Sequence, residues 1–273
     1  MSTTTATTAL TRRLTRAPRR PGLVGAELLK ARKRRGLVLS TLALTVVPMI
    51  IAYTVLLILR AADPAKHGPA GGVENLSGSM EVLSQLGAVA AILVGSTLGA
   101  SDLGSGVFRE LVVTGRSRLA LFAARVPAGL GLLFLAVRAG FAVTATAAGV
   151  FAGPSEAPGA RLLVSSAAWL GLVTGLALVL SLGVSSALGS RGTTIAILLG
   201  WHLIAMPLLI PLEALGSFRE GLWGTATDRL EPAALLEGGV TVPMSLAAAL
   251  AVVAAWTVVP LAVGAWRSCT RDA

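Results

Sequence analysis

The most constraining feature of this sequence is a set of six apolar stretches, Leu37 to Leu59, Leu83 to Ala100, Val126 to Val150, Leu162 to Val184, Thr193 to Pro211 and Met244 to Trp266. Each runs to roughly 18–25 residues, the length a helix needs to cross the hydrocarbon of a bilayer. A backbone in hydrocarbon must satisfy its own N–H and C=O groups, so each stretch is expected to be a helix. The expected fold is all-α, a polytopic membrane protein with six transmembrane helices. Composition agrees. Asp, Glu, Lys and Arg make up 13% of the 273 residues, half the roughly 25% of a soluble domain, and the mean hydropathy is +0.79. So little charge cannot coat a water-soluble body of this size, which excludes a soluble enzyme.

The scarce charge is concentrated. Ten basic residues lie in the first 35 positions against the single acid Glu27, so this terminus holds +9 of the formal +10. A basic terminus serves nucleic acid or anionic lipid; the apolar run starting at Leu37 points to membrane lipid and away from nucleic acid. With the N-terminus inside, the inner segments hold 16 Lys and Arg, and the outer loops hold five (Arg60, Lys66, Arg161, Arg219 and Arg229). That asymmetry places the N- and C-termini in the cytoplasm and the chain in the plasma membrane as a multi-pass protein. The expected organisation is a disordered basic tail over 1–21, an interfacial amphipathic helix over 22–36, a six-span domain over 37–266 and a cytoplasmic tail over 267–273. The loop at 60–82, rich in Pro and Gly, reads as a flexible connection. The loop at 212–243 mixes five acids with Leu, Phe and Trp and reads as short amphipathic helices on the outer leaflet. No acid falls within the six stretches. Cys269, the one cysteine, cannot form an intramolecular disulfide.

Motifs for catalysis are missing. A P-loop needs a Lys directly after Gly, and the three lysines follow Leu29, Arg32 and Ala65. Metal sites want clusters of His, Cys and carboxylate, and the two histidines, His67 and His202, are far apart in sequence. No G-x-S-x-G nucleophile elbow stands out. The chain is expected not to be an enzyme and to need no cofactor.

Two short segments carry more pattern than a membrane anchor requires. In Gly22 to Arg35, Leu23, Val24, Leu28 and Ala31 trace an apolar stripe, with Glu27, Lys30, Lys33 and Arg34 on the other side and Glu27 and Lys30 spaced for an i,i+3 pair. In the inside loop from Asp102 to Val126, Leu103, Val107, Phe108, Leu111 and Val112 form an apolar stripe from which Arg109 and Glu110 point away, and Gly115 is a stop. That loop is either a connector lying on the membrane or an element on which a cytoplasmic partner pushes.

This loop resembles that of the type-2 ABC transporter permeases: an acid closing the second span, then a Gly followed by a basic residue and a Leu-rich patch, then Ser-Arg opening the third span. The matching residues are Asp102, Gly106, Arg109, Leu111, Ser117 and Arg118, and the family's interfacial E-x-x-K-x-R helix is matched by Glu27, Lys30, Arg32 and the following Lys33. Asp102 stands where the family often has Glu, and Gly106-Val107 where Gly-Thr is common. The resemblance implies a membrane subunit of an ABC exporter. Such a subunit pairs with a second permease copy or paralogue and docks a separate ATP-binding cassette ATPase subunit on the loop holding Asp102, Gly106, Arg109, Glu110, Ser117 and Arg118. The importer-type E-A-A-x-x-x-G loop is absent from the inside segments, so the implied direction is outward, for a hydrophobic or amphipathic substrate. Rival readings are a non-transporting membrane anchor or assembly protein and a secondary transporter.

Arg138, near the middle of the third stretch, and His202, in the fifth, are candidates for a translocation path. An intramembrane arginine costs on the order of 3 kcal/mol and marks function by default, although a snorkelling side chain explains it as well. His202 fits a buried imidazole bonded to a neighbouring helix equally well. Gly95-x-x-x-Gly99 and Gly171-x-x-x-Gly175 permit close helix approach, and Pro48, Pro127, Pro207 and Pro260 are expected to bend their spans.

Overall fold

The computed structural model describes residues 22–104, 117–236 and 242–270, with the backbone alone at 101–104. Among these residues all regular structure is helical. The helices are α1 (Leu23–Lys33), α2 (Arg35–Ala62), α3 (Val73–Gly104), α4 (Arg118–Val150), α5 (Ala160–Leu188), α6 (Arg191–Leu209), α7 (Trp223–Asp228) and α8 (Leu246–Thr270). Short 3₁₀ turns at Glu213–Gly221 and Ala233–Leu235 flank α7. Six helices, α2 to α6 and α8, are long and apolar enough to cross a membrane, as the hydropathy pattern requires.

Local chemistry sets the helix ends. Ser117 caps α4 by accepting a hydrogen bond from the Ala120 N–H at 3.1 Å, and Ser190 caps α6 by accepting one from the Thr193 N–H at 3.3 Å. Gly189, at φ +73°, ends α5 in the left-handed conformation that glycine adopts without strain. The α5–α6 connection is therefore one stop signal followed by one start signal. Proline acts as expected in two spans. α2 breaks at Val46, just ahead of Pro48, and α6 widens into a π turn over Trp201–Ala205, just ahead of Pro207. Proline has no N–H to donate and crowds the preceding turn, and a wider turn absorbs both effects.

Two boundaries move relative to the hydropathy reading. α3 begins at Val73, ten residues before Leu83, because Leu76, Met80 and Leu83 recur on one face and are fully buried there. Glu74, Asn75 and Glu81 dilute the hydropathy of this segment without interrupting its helical period. The expectation that no acid lies within a span is thus corrected, since Glu74 and Glu81 belong to a spanning helix. α4 begins at Arg118, which carries Arg125 inside the helix, where only 2% of it is exposed. The loop at 60–82, expected to be a flexible connection, shrinks to 63–72 and is anchored: the Gly71, Gly72 and Val73 N–H groups donate to the Phe151, Ala148 and Glu156 carbonyls at 2.9, 2.8 and 3.1 Å.

The core lies between α3, α4 and α5. A side chain at Gly95 would strike the Ser181 hydroxyl and the Leu178 carbonyl, and one at Gly99 would meet the Leu182 carbonyl at 2.7 Å. The contact permits Ser185 Oγ to donate to the Ser96 carbonyl at 2.8 Å. Gly95-x-x-x-Gly99 is therefore an intramolecular seam, whereas Gly171 faces open space and Gly175 meets the Phe134 ring at 3.4 Å. α8 rests on α5 where Gly264 faces the Gly183 carbonyl, and Thr45 of α2 donates to the Ala136 carbonyl of α4 at 3.1 Å. One end of the bundle carries α1, the Gly189–Ser190 turn and the C-terminal turn of α8, where Arg118 Nη1 donates to the Cys269 carbonyl at 3.2 Å. The other end carries 63–72, 151–159 and the segment 213–236.

Candidate functional site

At that second end, 213–236 folds back over the bundle as a cap. Leu222, Trp223 and Leu235 are buried beneath it, so part of the apolar surface expected on the outer leaflet packs on the protein itself, while Phe218 and Leu236 are exposed. Side-chain hydrogen bonds with α3, α5 and α6 help hold the cap down. Trp169 Nε1 of α5 donates to the Thr227 carbonyl at 2.9 Å, Ser77 Oγ of α3 donates to the Leu235 carbonyl at 2.7 Å, and Trp223 Nε1 donates to the Met206 sulfur of α6.

Under the cap lies a cavity of about 490 Å³ between the N-terminal turns of α3, the start of α5, the end of α6 and α7. Trp169, Val173, Met206 and Trp223 give it apolar walls, and Glu81, Gln85, His202, Asp228 and Glu231 give it polar groups. The His202 ring meets Trp223 edge-on, with centroids 5.6 Å apart and planes at 64°. His202 lies on the π turn, which rotates its side chain off the regular helical register. Its Nε2 is buried without a hydrogen-bond partner among the described residues.

The carboxylates at the mouth are crowded: Glu81 and Asp228 are exposed and Glu231 is half-buried. Loss of water pushes Asp228 up to about 6, even though part of this side chain faces outward. Glu231 is pushed up to about 7, first by burial, then by repulsion from Asp228 and Glu81. Among the described residues no three His, Cys or carboxylate groups converge as metal ligands would. The arrangement offers negative charge over an aromatic and sulfur-lined hollow.

The residues singled out from the sequence do not come together in one place. His202 lines the cavity. Arg138 lies away from it, exposed on the outward surface of α4. Ser117 and Arg118 sit at the opposite end of the bundle, Asp102 falls in the last turn of α3 where the backbone alone is described, and Gly106, Arg109 and Glu110 lie outside the described residues. In α1, Lys30 Nζ pairs with Glu27 at 2.8 Å as the spacing anticipates. Glu27 is nevertheless 6% exposed and belongs to the packed side of the helix, while Val24, expected in the apolar stripe, is 42% exposed. The reason is that α1 packs on α4, so its buried face follows the neighbouring helix and not a membrane plane. Arg32 and Lys33 are exposed.

Sequence reasoning missed Glu81, Trp169, Trp223, Asp228 and Glu231 as partners in one site. Extending the apolar spacing back from Leu83 through Met80 and Leu76 would have put Glu81 on a helix. Nothing in the sequence brings positions 81, 169, 202, 223 and 231 together. Arg125 was missed as a buried cation; its Nη1 donates to the Gly99 carbonyl of α3 at 3.3 Å. Compared with known proteins, the chain matches no family model and no curated sequence.

Proposed function

We propose that this chain is the membrane-spanning subunit of an ATP-binding cassette exporter, working with a separate ATPase and a second permease chain to move a hydrophobic or amphipathic substrate outward across the plasma membrane. The observation that carries the reading is α3. This single 32-residue helix runs from the cavity at Ser77–Gln85 to the segment that resembles the family's ATPase-docking loop. Gln85 and Gly104 are separated along it by about 28 Å at 1.5 Å per residue. A push on the loop by a closing ATPase would travel along this rod to the cavity wall. The six helices long and apolar enough to span, the basic helix α1 ahead of the first of them and the Ser117-Arg118 opening of α4 also favour this reading.

Purifying the full chain from cells that co-express an ATPase encoded beside it tests the proposal. The ATPase is expected to co-purify, and reversing the charges at Arg109 and Glu110 is expected to lower stimulated ATP hydrolysis about tenfold, the equivalent of ~1.4 kcal/mol in coupling. Failure of any such ATPase to bind the wild-type chain sinks the reading. A proton-coupled carrier is the second reading, favoured by Glu81 on a spanning helix beside a Glu231 that titrates near neutrality. Under it, a pH gradient alone drives transport in vesicles without ATP.

A further inference from the structure

The cavity beneath the cap selects among ligand chemistries. At about 490 Å³ it falls in the ~300–1,000 Å³ range of sites that enclose drug-sized molecules, well beyond the needs of a single ion. Trp169 and Trp223 are 7% and 4% exposed, so each indole is fixed by packing, and together with Met206 and Val173 they favour an apolar body. Glu81, Asp228 and Glu231 repel anions from the mouth. Among the described residues no Lys or Arg is paired with these three acids. The two arginines nearest in sequence bond to backbone carbonyls: Arg219 Nη1 donates to that of Ile210, a residue of the cavity wall, at 3.3 Å, and Arg229 Nε to that of Met244 at 2.9 Å. A metal ion has no converging ligand set here among the described residues.

We propose that this cavity is the binding site for a lipophilic organic cation, its apolar body against Trp169, Trp223 and Met206 and its charge toward Glu81, Asp228 and Glu231. The three carboxylates, gathered at the cavity, supply attraction for a cation and exclude an anion of the same shape. The apolar lining at Trp169, Val173, Met206 and Trp223 suits an organic body better than a small inorganic cation. That such a cation is what the protein exports rests on the exporter reading; occupancy of the cavity does not.

The test is calorimetric titration of the purified full-length chain in neutral detergent with tetraphenylphosphonium, and with tetraphenylborate as the anion of nearly the same shape. The phosphonium is expected to bind saturably and the borate not to. Asp228→Asn with Glu231→Gln is expected to weaken phosphonium binding at least about tenfold, ~1.4 kcal/mol. Glu74→Gln, which removes an acid of α3 outside the cavity, is expected to leave it unchanged. Equal binding of cation and anion, unchanged affinity in the double variant, or an equal loss in Glu74→Gln overturns the proposal. Should the double variant fail to fold, Glu81→Gln takes its place: weaker phosphonium binding is expected, and unchanged affinity overturns the proposal. Phosphonium binding by a chain that recruits no ATPase keeps the site and removes the exporter.

Discussion

α3 and α8 are both long and apolar enough to cross a membrane, and they occupy opposite extremes of the packing. The more apolar one is the more exposed: α8 has a mean hydropathy of 2.3 over its spanning window with 11% of that window buried, against 1.7 and 72% for α3. Hydropathy therefore does not decide which helix is central. Lipid tails are as apolar as leucine, so burying a Leu-rich face against another helix gains little inside a bilayer, whereas small residues that let backbones approach gain dispersion contacts and interhelical hydrogen bonds. α3 presents Gly87, Gly95, Gly99 and Ser96 to its neighbours, while Leu250, Val258, Val259 and Val263 of α8 face outward. α8 packs along α5, with its closest backbone approach at Gly264, and is tied to the cap by Trp256 Nε1 donating to the Gly221 carbonyl at 2.9 Å and by the Arg229–Met244 bond.

The strongest way to break this contrast is Gly95→Leu. The new side chain would collide with Ser181 and with the Leu178 backbone, which cannot move without displacing α5, and the expected loss is at least about 3 kcal/mol. Thermal unfolding in detergent should show a chain that no longer melts cooperatively; a melting temperature near that of the wild type would mean that the α3–α5 seam is not what holds the bundle.

The cap gives a smaller, pH-dependent effect. Asp228 and Glu231 hold their protons more tightly folded, at about 6 and about 7, than their ordinary 3.8 and 4.5. Their contribution to stability is therefore fully present below those ordinary values and is lost as pH rises through 6 and 7. The melting temperature should be lower at about pH 8 than at about pH 5, and Asp228→Asn with Glu231→Gln should flatten the dependence. A profile that rises with pH in the wild type, or is unchanged in the variant, would contradict the crowding at the cavity mouth.

The smallest effects belong to the outward faces. Leu250→Ala and Arg138→Leu, both at exposed positions, should each shift stability in detergent by no more than about 0.5 kcal/mol. A larger loss from Arg138→Leu would show that this arginine is covered by another chain or carries structure of its own.

Much of this protein was legible without coordinates. Six apolar stretches become six helices long and apolar enough to cross a membrane, because a backbone in hydrocarbon must satisfy its own hydrogen bonds. The disturbances ahead of Pro48 and Pro207 follow from single residues and their immediate neighbours. The pairing of Glu27 with Lys30 follows from one helical spacing. These are local properties, and local sequence contains them.

The candidate site was not legible in the same way. A polar segment such as Val73–Val82 looks like a loop to a hydropathy window, and only packing against the rest of the bundle shows it to be the first turns of α3 and Glu81 to be part of a spanning helix. The convergence of Trp169, His202, Trp223 and Glu231 depends on how α5, α6 and the cap close over α3, contacts between residues dozens of positions apart. The sequence by itself determined how many helices there are, roughly where they begin and end, and where charge is concentrated. The tertiary structure decided which helices are inner and which outer, that Arg138 faces outward while Arg125 is buried, and that scattered acids and aromatics share one cavity. The physical reason is that backbone hydrogen bonding is settled within a few residues, whereas close approach between small side chains is a property of pairs of helices and exists only once they meet.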